Sequence, residues 1–282
     1  MTLHGSLRAD RLATLYFFHP LRILVRERSP SAAILMYHSV ARDTADPSIH
    51  PYFQTRIDPE KFAVHMQFLS DEGYAVIPLR EISAVLNSSD ATPGKAVALT
   101  FDDGFKDFIR NVFPILKEKG YPASVFVSTG YVGGVFKQKE CLSWSDIRQL
   151  ADGGIEIGSH TVTHPKLHGM PEAEIESEIR TSKRELEEKI GRVVDTFSYP
   201  FAFPQEDSAY IGRLRGILLR NGYRTGVTTG IGRVVPGQDP LFLRRIPLNN
   251  HDDHRLFQAK LEGGYDWLRG MQYLSRIMRG WF

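Results

Sequence analysis

The stretch Ala96-Val-Ala-Leu-Thr-Phe-Asp-Asp-Gly-Phe105 decides how the rest of the chain is read. Its strand-forming run, Ala96 to Phe101, stops abruptly at two carboxylates and a glycine, the composition of a buried strand that ends in a turn. Such a strand delivers Asp102 and Asp103 to the rim of a parallel sheet or barrel, where α/β enzymes hold their chemistry. Side chains alternate along a strand, but the backbone turns at its end, so two neighbouring acids can enter one cavity with different tasks. One can hold a metal while the other stays free as a base. A solvated Asp-Asp-Gly turn is the plainer reading of the same residues.

A second stretch shifts the balance. Ile155-Glu-Ile-Gly-Ser-His160-Thr-Val-Thr-His164-Pro165 follows a short apolar run with two imidazoles, spaced to share one face of a helical turn or a tight loop. Two histidines and one carboxylate make a common divalent-metal set that leaves positions open for water and substrate. Alone, a His-x-x-x-His pair is more often surface or core than ligand. Beside a strand-terminal Asp-Asp-Gly it carries more weight.

Together, Thr100-Phe-Asp-Asp-Gly104 and His160-Thr-Val-Thr-His164-Pro165 resemble the first two motifs of the polysaccharide deacetylases, carbohydrate esterase family four. The resemblance runs from about residue 31 to residue 250. It implies an α/β fold, a distorted (β/α) barrel with an incomplete strand ring. It also implies that Asp102 is the general base and that Asp103, His160 and His164 are the metal ligands.

Other segments extend the resemblance. Ala33-Ile-Leu-Met-Tyr37-His38 reads as a strand ending in a Tyr-His pair, and His38 taken alone suits a structural role. One branch of the family, including exopolysaccharide deacetylases, carries a similar Tyr-His upstream of its Asp-Asp motif, which implies that His38 is the general acid. Thr196-Phe-Ser-Tyr199-Pro200-Phe201 resembles the third motif, in which the aromatic after proline lends its backbone N–H to the oxyanion. Ser198 stands where many members have an arginine, and Ala202 where they have glycine, departures that bear on how the base is positioned. Arg245, in Leu-Arg-Arg-Ile, matches an arginine of the same branch and is expected to hold Asp102 ionised; a surface arginine at a strand end is the alternative.

Between these motifs the chain alternates strand and helix signals, the cadence of a parallel sheet. Helices are expected from Pro59 to Leu69 with Asp58 as N-cap, and from Leu79 to Leu86. Further helices are expected from Lys106 to Lys119, Trp144 to Leu150, Pro171 to Ile190 and Arg215 to Arg220. Strands are expected at Val76-Ile77, Ser124 to Val127, Tyr223 to Thr228 and Leu243 to Ile246. Arg42 to Ile57 carries no period and reads as a connection or a substrate-covering loop.

The length, 282 residues, suits one large domain with additions: residues 1–30 as an N-terminal extension, 31–260 as catalytic domain and 261–282 as a C-terminal amphipathic helix. A net charge of +2 gives no sign of a nucleic-acid partner. The single cysteine, Cys141, excludes an intrachain disulfide. No apolar run has the length of a membrane span and none makes a convincing cleavable signal peptide, so the expected location is cytoplasmic or peripheral to a membrane. Trp267, Leu268, Met271, Leu274, Ile277, Met278 and Trp281 recur at helical spacing with arginines between them, as suits either packing on the barrel or contact with a bilayer.

The expected activity is metal-dependent removal of N-acetyl groups from an N-acetylhexosamine polymer or oligosaccharide, with zinc, cobalt or nickel as the ion. The alternatives are a deacylase of a lipid-linked or nucleotide-linked amino sugar, and a catalytically silent carbohydrate-binding module.

Overall fold

The computed structural model describes residues 8–25, 31–42, 50–87 and 95–279. Seven parallel strands follow one another around a closed ring in chain order. They are β1 (Ala32–Tyr37), β2 (Ala96–Phe101), β3 (Ser124–Val127), β4 (Glu156–Ser159), β5 (Thr196–Ser198), β6 (Thr225–Ile231) and β7 (Leu243–Pro247). The ring closes where β1 runs beside β2 in register from Ala32↔Ala96 to Tyr37↔Phe101 and beside β7 at Leu35↔Ile246. It is one strand short of a full eight-stranded barrel. The expected strand at Val76-Ile77 lies one residue earlier, at Ala75–Val76, and pairs with the start of β2 outside the ring.

Every residue of β1 and β2 is buried, because helices cover the outer face of a parallel ring while side chains fill its interior. The covering helices include Pro59–Asp71, Phe113–Lys119, Trp144–Asp152, Glu172–Ile190, Ser208–Arg220 and His254–Leu261. Trp144–Asp152 opens with a capping box between Ser143 and Asp146. Elsewhere local signals give way to tertiary ones. Asp58 sits at the N-cap of Pro59–Asp71, but its carboxylate goes to Arg56 at 2.7 Å and caps nothing. The helix expected from Lys106 begins at Phe108 with a wide π turn, Phe108–Val112, before Phe113–Lys119. The helix expected from Arg215 starts earlier, at Ser208, where Asp207 accepts from the Tyr210 N–H at 2.9 Å.

Of the loop expected between Arg42 and Ile57, residues 43–49 lie outside the described residues. The remainder contains a turn at Pro51–Phe53 and a short strand, Arg56–Ile57, paired with Ser39–Val40. The first and last elements among the described residues are helical. Ala9–Ala13, Thr14–Phe18 and His19–Val25 form one continuous N-terminal helix, and Leu268–Arg279 forms the C-terminal helix. Trp281 lies outside the described residues.

Phe101, the last residue of β2, packs between the strand ring and the helix Pro59–Asp71. Its ring is 1% exposed and lies 5.2 Å from Tyr37 and 4.8 Å from Phe108. Phe101→Ala is expected to cost about 3–5 kcal/mol in denaturant unfolding, because it opens a cavity between the ring and its covering helices among Tyr37, Phe62 and Phe108. A cost below about 1 kcal/mol would show that the ring and its covering helices are not close-packed at this level.

Candidate active site

The end of β2 is where the chain splits the two acids. Asp103 and Gly104 both adopt left-handed backbone, with φ of 71° and 64°, which folds the chain back on itself within two residues. Asp102 then faces inward across the ring and Asp103 faces the rim. Among the described residues, the non-glycine residues with positive φ are Asp103, Lys137, Gln138, Thr161, His164 and Phe201, and every one of them belongs to the site or to the hairpin above it. Each such residue carries a cost of about 1–2 kcal/mol, so their gathering at one place marks backbone strain held for function.

Arg245, on β7, determines the state of Asp102. Its side chain is fully buried, with Nη1 2.7 Å from Asp102 Oδ1 and Nη2 2.6 Å from Oδ2, a two-pronged grip. The remaining donors are used as well: Nε donates to the Thr228 carbonyl at 3.0 Å, and the two Nη groups reach Thr100 Oγ1 and Ser198 Oγ. Ser198 in turn donates to Asp102 Oδ1 at 3.2 Å. A surface position for Arg245 is thereby excluded, and the serine standing in for an arginine becomes part of the same grip. Burial alone would raise the Asp102 pKa; the Arg245 guanidinium overrides it and holds the carboxyl at about 2.

Asp103, His160 and His164 converge on one point. Asp103 Oδ1 lies 3.6 Å from His160 Nε2 and 3.3 Å from His164 Nε2, and all three residues are buried. The histidine pair sits in a tight loop after β4, not on a helical turn, with Thr161 and His164 at φ of 70° and 55°. His160 Nδ1 lies 2.7 Å from the Ser198 carbonyl, which can only accept, so Nδ1 carries the proton and Nε2 presents a lone pair. Burial pulls the His160 pKa down to about 4, so the ring is neutral near pH 7.

Asp103 Oδ1 is buried without a hydrogen-bond partner. A carboxylate oxygen and an imidazole lone pair thus face the same small space with no proton between them, an arrangement a divalent cation would relieve. The residues present fit such an ion, and the three ligand atoms lie within 4.8 Å of one another. Two nitrogens and a carboxylate leave open whether it is zinc, cobalt or nickel.

Three further groups border this point. His38, just past β1, has Nε2 4.0 Å from Asp102 Oδ2, and burial lowers its pKa below the ordinary value. Phe201, at φ 57°, stacks edge-on against His164 at 4.6 Å, and its N–H donates to no group among the described residues. Lys137 was not legible beforehand: it occupies the tip of a hairpin made by Val135–Phe136 and Lys139–Glu140, and its Nζ lies 3.1 Å from Asp103 Oδ2. With a cation on Oδ2, only Oδ1 faces the two imidazoles. Cys141 is buried near this hairpin, and burial pushes its thiol up to about 11, so it offers no thiolate.

The closed parallel ring, with its strand-end acids and histidine loop, matches the (β/α) barrel of polysaccharide deacetylases, and comparison with known proteins agrees in fold. The polysaccharide deacetylase family model matches residues 89–219. YxkH of Bacillus subtilis, provisionally named a polysaccharide deacetylase, is 28% identical over 84% of this chain and 78% of its own length. The poly-β-1,6-N-acetyl-D-glucosamine N-deacetylase of Staphylococcus aureus is 21% identical over 80% of this chain and 81% of its own. Among solved structures, the Streptococcus pyogenes deacetylase PplD and IcaB from Ammonifex degensii each superpose with a TM-score of 0.70 at 24% identity. Each covers 83% of this chain, with 99% of PplD and 98% of IcaB matched, a likeness of fold.

The Asp102–Arg245 pair gives a pH-dependent expectation. A carboxyl held below its unfolded pKa of 3.8 contributes stability that is present above about pH 4 and lost as pH falls through about 2. In Arg245→Met the grip is gone while burial persists, so Asp102 titrates at higher pH. Acid unfolding followed by circular dichroism should therefore begin at higher pH in the variant, with roughly 3–5 kcal/mol less stability at pH 7. An unchanged acid transition would mean that Arg245 does not control Asp102.

Proposed function

We propose that the chain is a divalent-metal hydrolase that removes N-acetyl groups from an N-acetylhexosamine-containing polysaccharide or oligosaccharide. The observation that carries this reading is the division of labour at the end of β2: Asp103 turned to two imidazoles, Asp102 held ionised and free of them. A divalent cation on Asp103, His160 and His164 would supply Lewis acidity, polarising the acyl oxygen and acidifying water.

The chain's own residues do the rest. Asp102, ionised at any working pH, accepts the proton of the attacking water. The Phe201 N–H donates to the tetrahedral oxyanion in this scheme, a contribution of about 3 kcal/mol that needs no side-chain hydroxyl. His38 protonates the leaving nitrogen, without which an amine is a very poor leaving group. Because burial lowers the His38 pKa, the resting imidazole is neutral near pH 7 and acquires its proton during turnover. Asp102 Oδ2, 4.0 Å away, is the nearest source: a proton taken from water by a carboxyl of pKa about 2 moves downhill to an imidazole. Arg245 and Ser198 act through Asp102 as positioning residues.

A groove of about 260 Å³ opens at His38 and is lined by Tyr52, Phe53, Thr229 and Gln272. Phe53 is 68% exposed there, a flat apolar face of the kind sugar rings stack upon. The S. aureus relative is named for poly-N-acetylglucosamine, which supports a polymeric amino sugar as the substrate class.

Asp102→Asn should retain the metal and lose about 10²–10⁴-fold in acetate release, whereas His160→Ala should lose metal and activity together. Full turnover by the Asp102→Asn protein would remove the base from this scheme. For His38→Ala the loss should be large on an N-acetyl sugar and small on a 4-nitrophenyl ester, whose leaving group needs no proton. Equal losses on both substrates would rule out a proton-donor role.

A further inference from the structure

The N-terminal helix is turned inside out. Its polar residues face the protein and its exposed residues are apolar. Arg8 pairs with Asp10, Arg11 with Asp253, His19 with Glu262 at 2.6 Å and Arg22 with Asp266 at 3.6 Å. Thr14 is fully buried and accepts from Trp267 Nε1 at 3.1 Å, and Asp10 accepts from the Tyr265 hydroxyl at 2.7 Å. Outward stand Leu12, Tyr16, Phe17, Leu21, Ile23 and Leu24, the last 80% exposed. A helix on the surface of a water-soluble domain shows the reverse pattern, with apolar residues inward and charges outward.

The C-terminal helix adjoins this face. Trp267 stacks on Phe18 at 4.5 Å, which joins the two ends of the chain. Gln272 ties the C-terminal helix to β6, donating to the Thr229 carbonyl at 3.0 Å and accepting from the Ile231 N–H at 3.1 Å. Its outward residues include Met271, Tyr273, Leu274 and Met278. Both ends are rich in arginine, and Leu268–Arg279 contains no acid at all. Arg244 and Arg269 line a cavity of about 610 Å³ with Asp266, Trp267 and Tyr273, and Asp266 is already ion-paired with Arg22 and Arg233, so guanidinium outnumbers carboxylate there. An exposed apolar face rimmed by more arginine than acid is complementary to one surface above others: acyl chains beneath phosphates.

We propose that the N-terminal helix and the outer side of the C-terminal helix seat this protein on an anionic phospholipid bilayer, with their apolar residues in the acyl–headgroup boundary and Arg244 and Arg269 at lipid phosphates. The helices lie in the interface and do not cross it; among the described residues no helix is long and apolar enough to span a membrane. Gln272 also lines the groove at His38, so the seated protein holds the mouth of its active site beside the bilayer.

The full-length protein is tested by flotation with phosphatidylcholine vesicles, with and without phosphatidylglycerol. Flotation is expected only with the anionic vesicles, weakening as salt rises. Combined Tyr16→Ser, Phe17→Ser, Leu21→Ser and Leu24→Ser should lower binding on the order of tenfold or more, as should combined Arg244→Gln and Arg269→Gln. Val193→Ser, an exposed apolar residue elsewhere, should change nothing. A single-site readout guards against misfolding: Leu24→Cys carrying an environment-sensitive dye should blue-shift on anionic vesicles, Cys141 being buried and inert to the label. The proposal is overturned if the wild type stays with the aqueous fraction, if the serine variant floats equally well, or if the dye does not shift. It is also overturned if lipid-free light scattering shows a dimer that the serine variant dissociates, since the face would then belong to a second copy of the chain.

Discussion

A guanidinium buried inside the strand ring is the contact on which the site depends. Arg245 and Asp102 are each enclosed, and neither could remain charged there without the other, since removing a partner leaves an uncompensated ion in a low-dielectric interior. Their two-pronged contact fixes which way Asp102 points, and that in turn leaves Asp103 as the acid facing the histidines. Residues from β2, β5, β6 and β7 meet at the guanidinium, so closing the ring and arming the site are one event. The strained backbone at Asp103, His164 and Phe201 is sustained by this closed frame.

Much of this was legible from residues alone. A fully buried parallel strand has a simple signature, an apolar run ended by a turn, and Ala96–Phe101 has it. The histidine spacing named both imidazoles, though not the loop that carries them. What could not be read was any quantity set by distant residues. Arg245 looks like any strand-end arginine until the ring brings it to Asp102, 143 positions away along the chain. Lys137 sits in an unremarkable polar hairpin, and only the fold brings it to Asp103. Asp58 had the right residue type for a cap and was taken by Arg56, a competition invisible to local propensity.

The ends of the chain show a similar limit. Apolar periodicity reports that a helix has an apolar stripe, but not whether that stripe faces a core or the outside. Ion pairs to Asp253, Glu262 and Asp266 orient the N-terminal helix with its charges inward, and the outward apolar face follows from them. Under the proposed membrane seating, location and chemistry are connected through Gln272, which belongs both to the groove and to the C-terminal helix.

The most direct measurement is an anomalous-difference crystal structure of the protein loaded with zinc, cobalt or nickel and recorded across the absorption edge of the ion supplied. The account requires one peak bonded to Asp103, His160 and His164, with both oxygens of Asp102 remaining on Arg245. A peak on Asp102, or none between the two imidazoles, would contradict it.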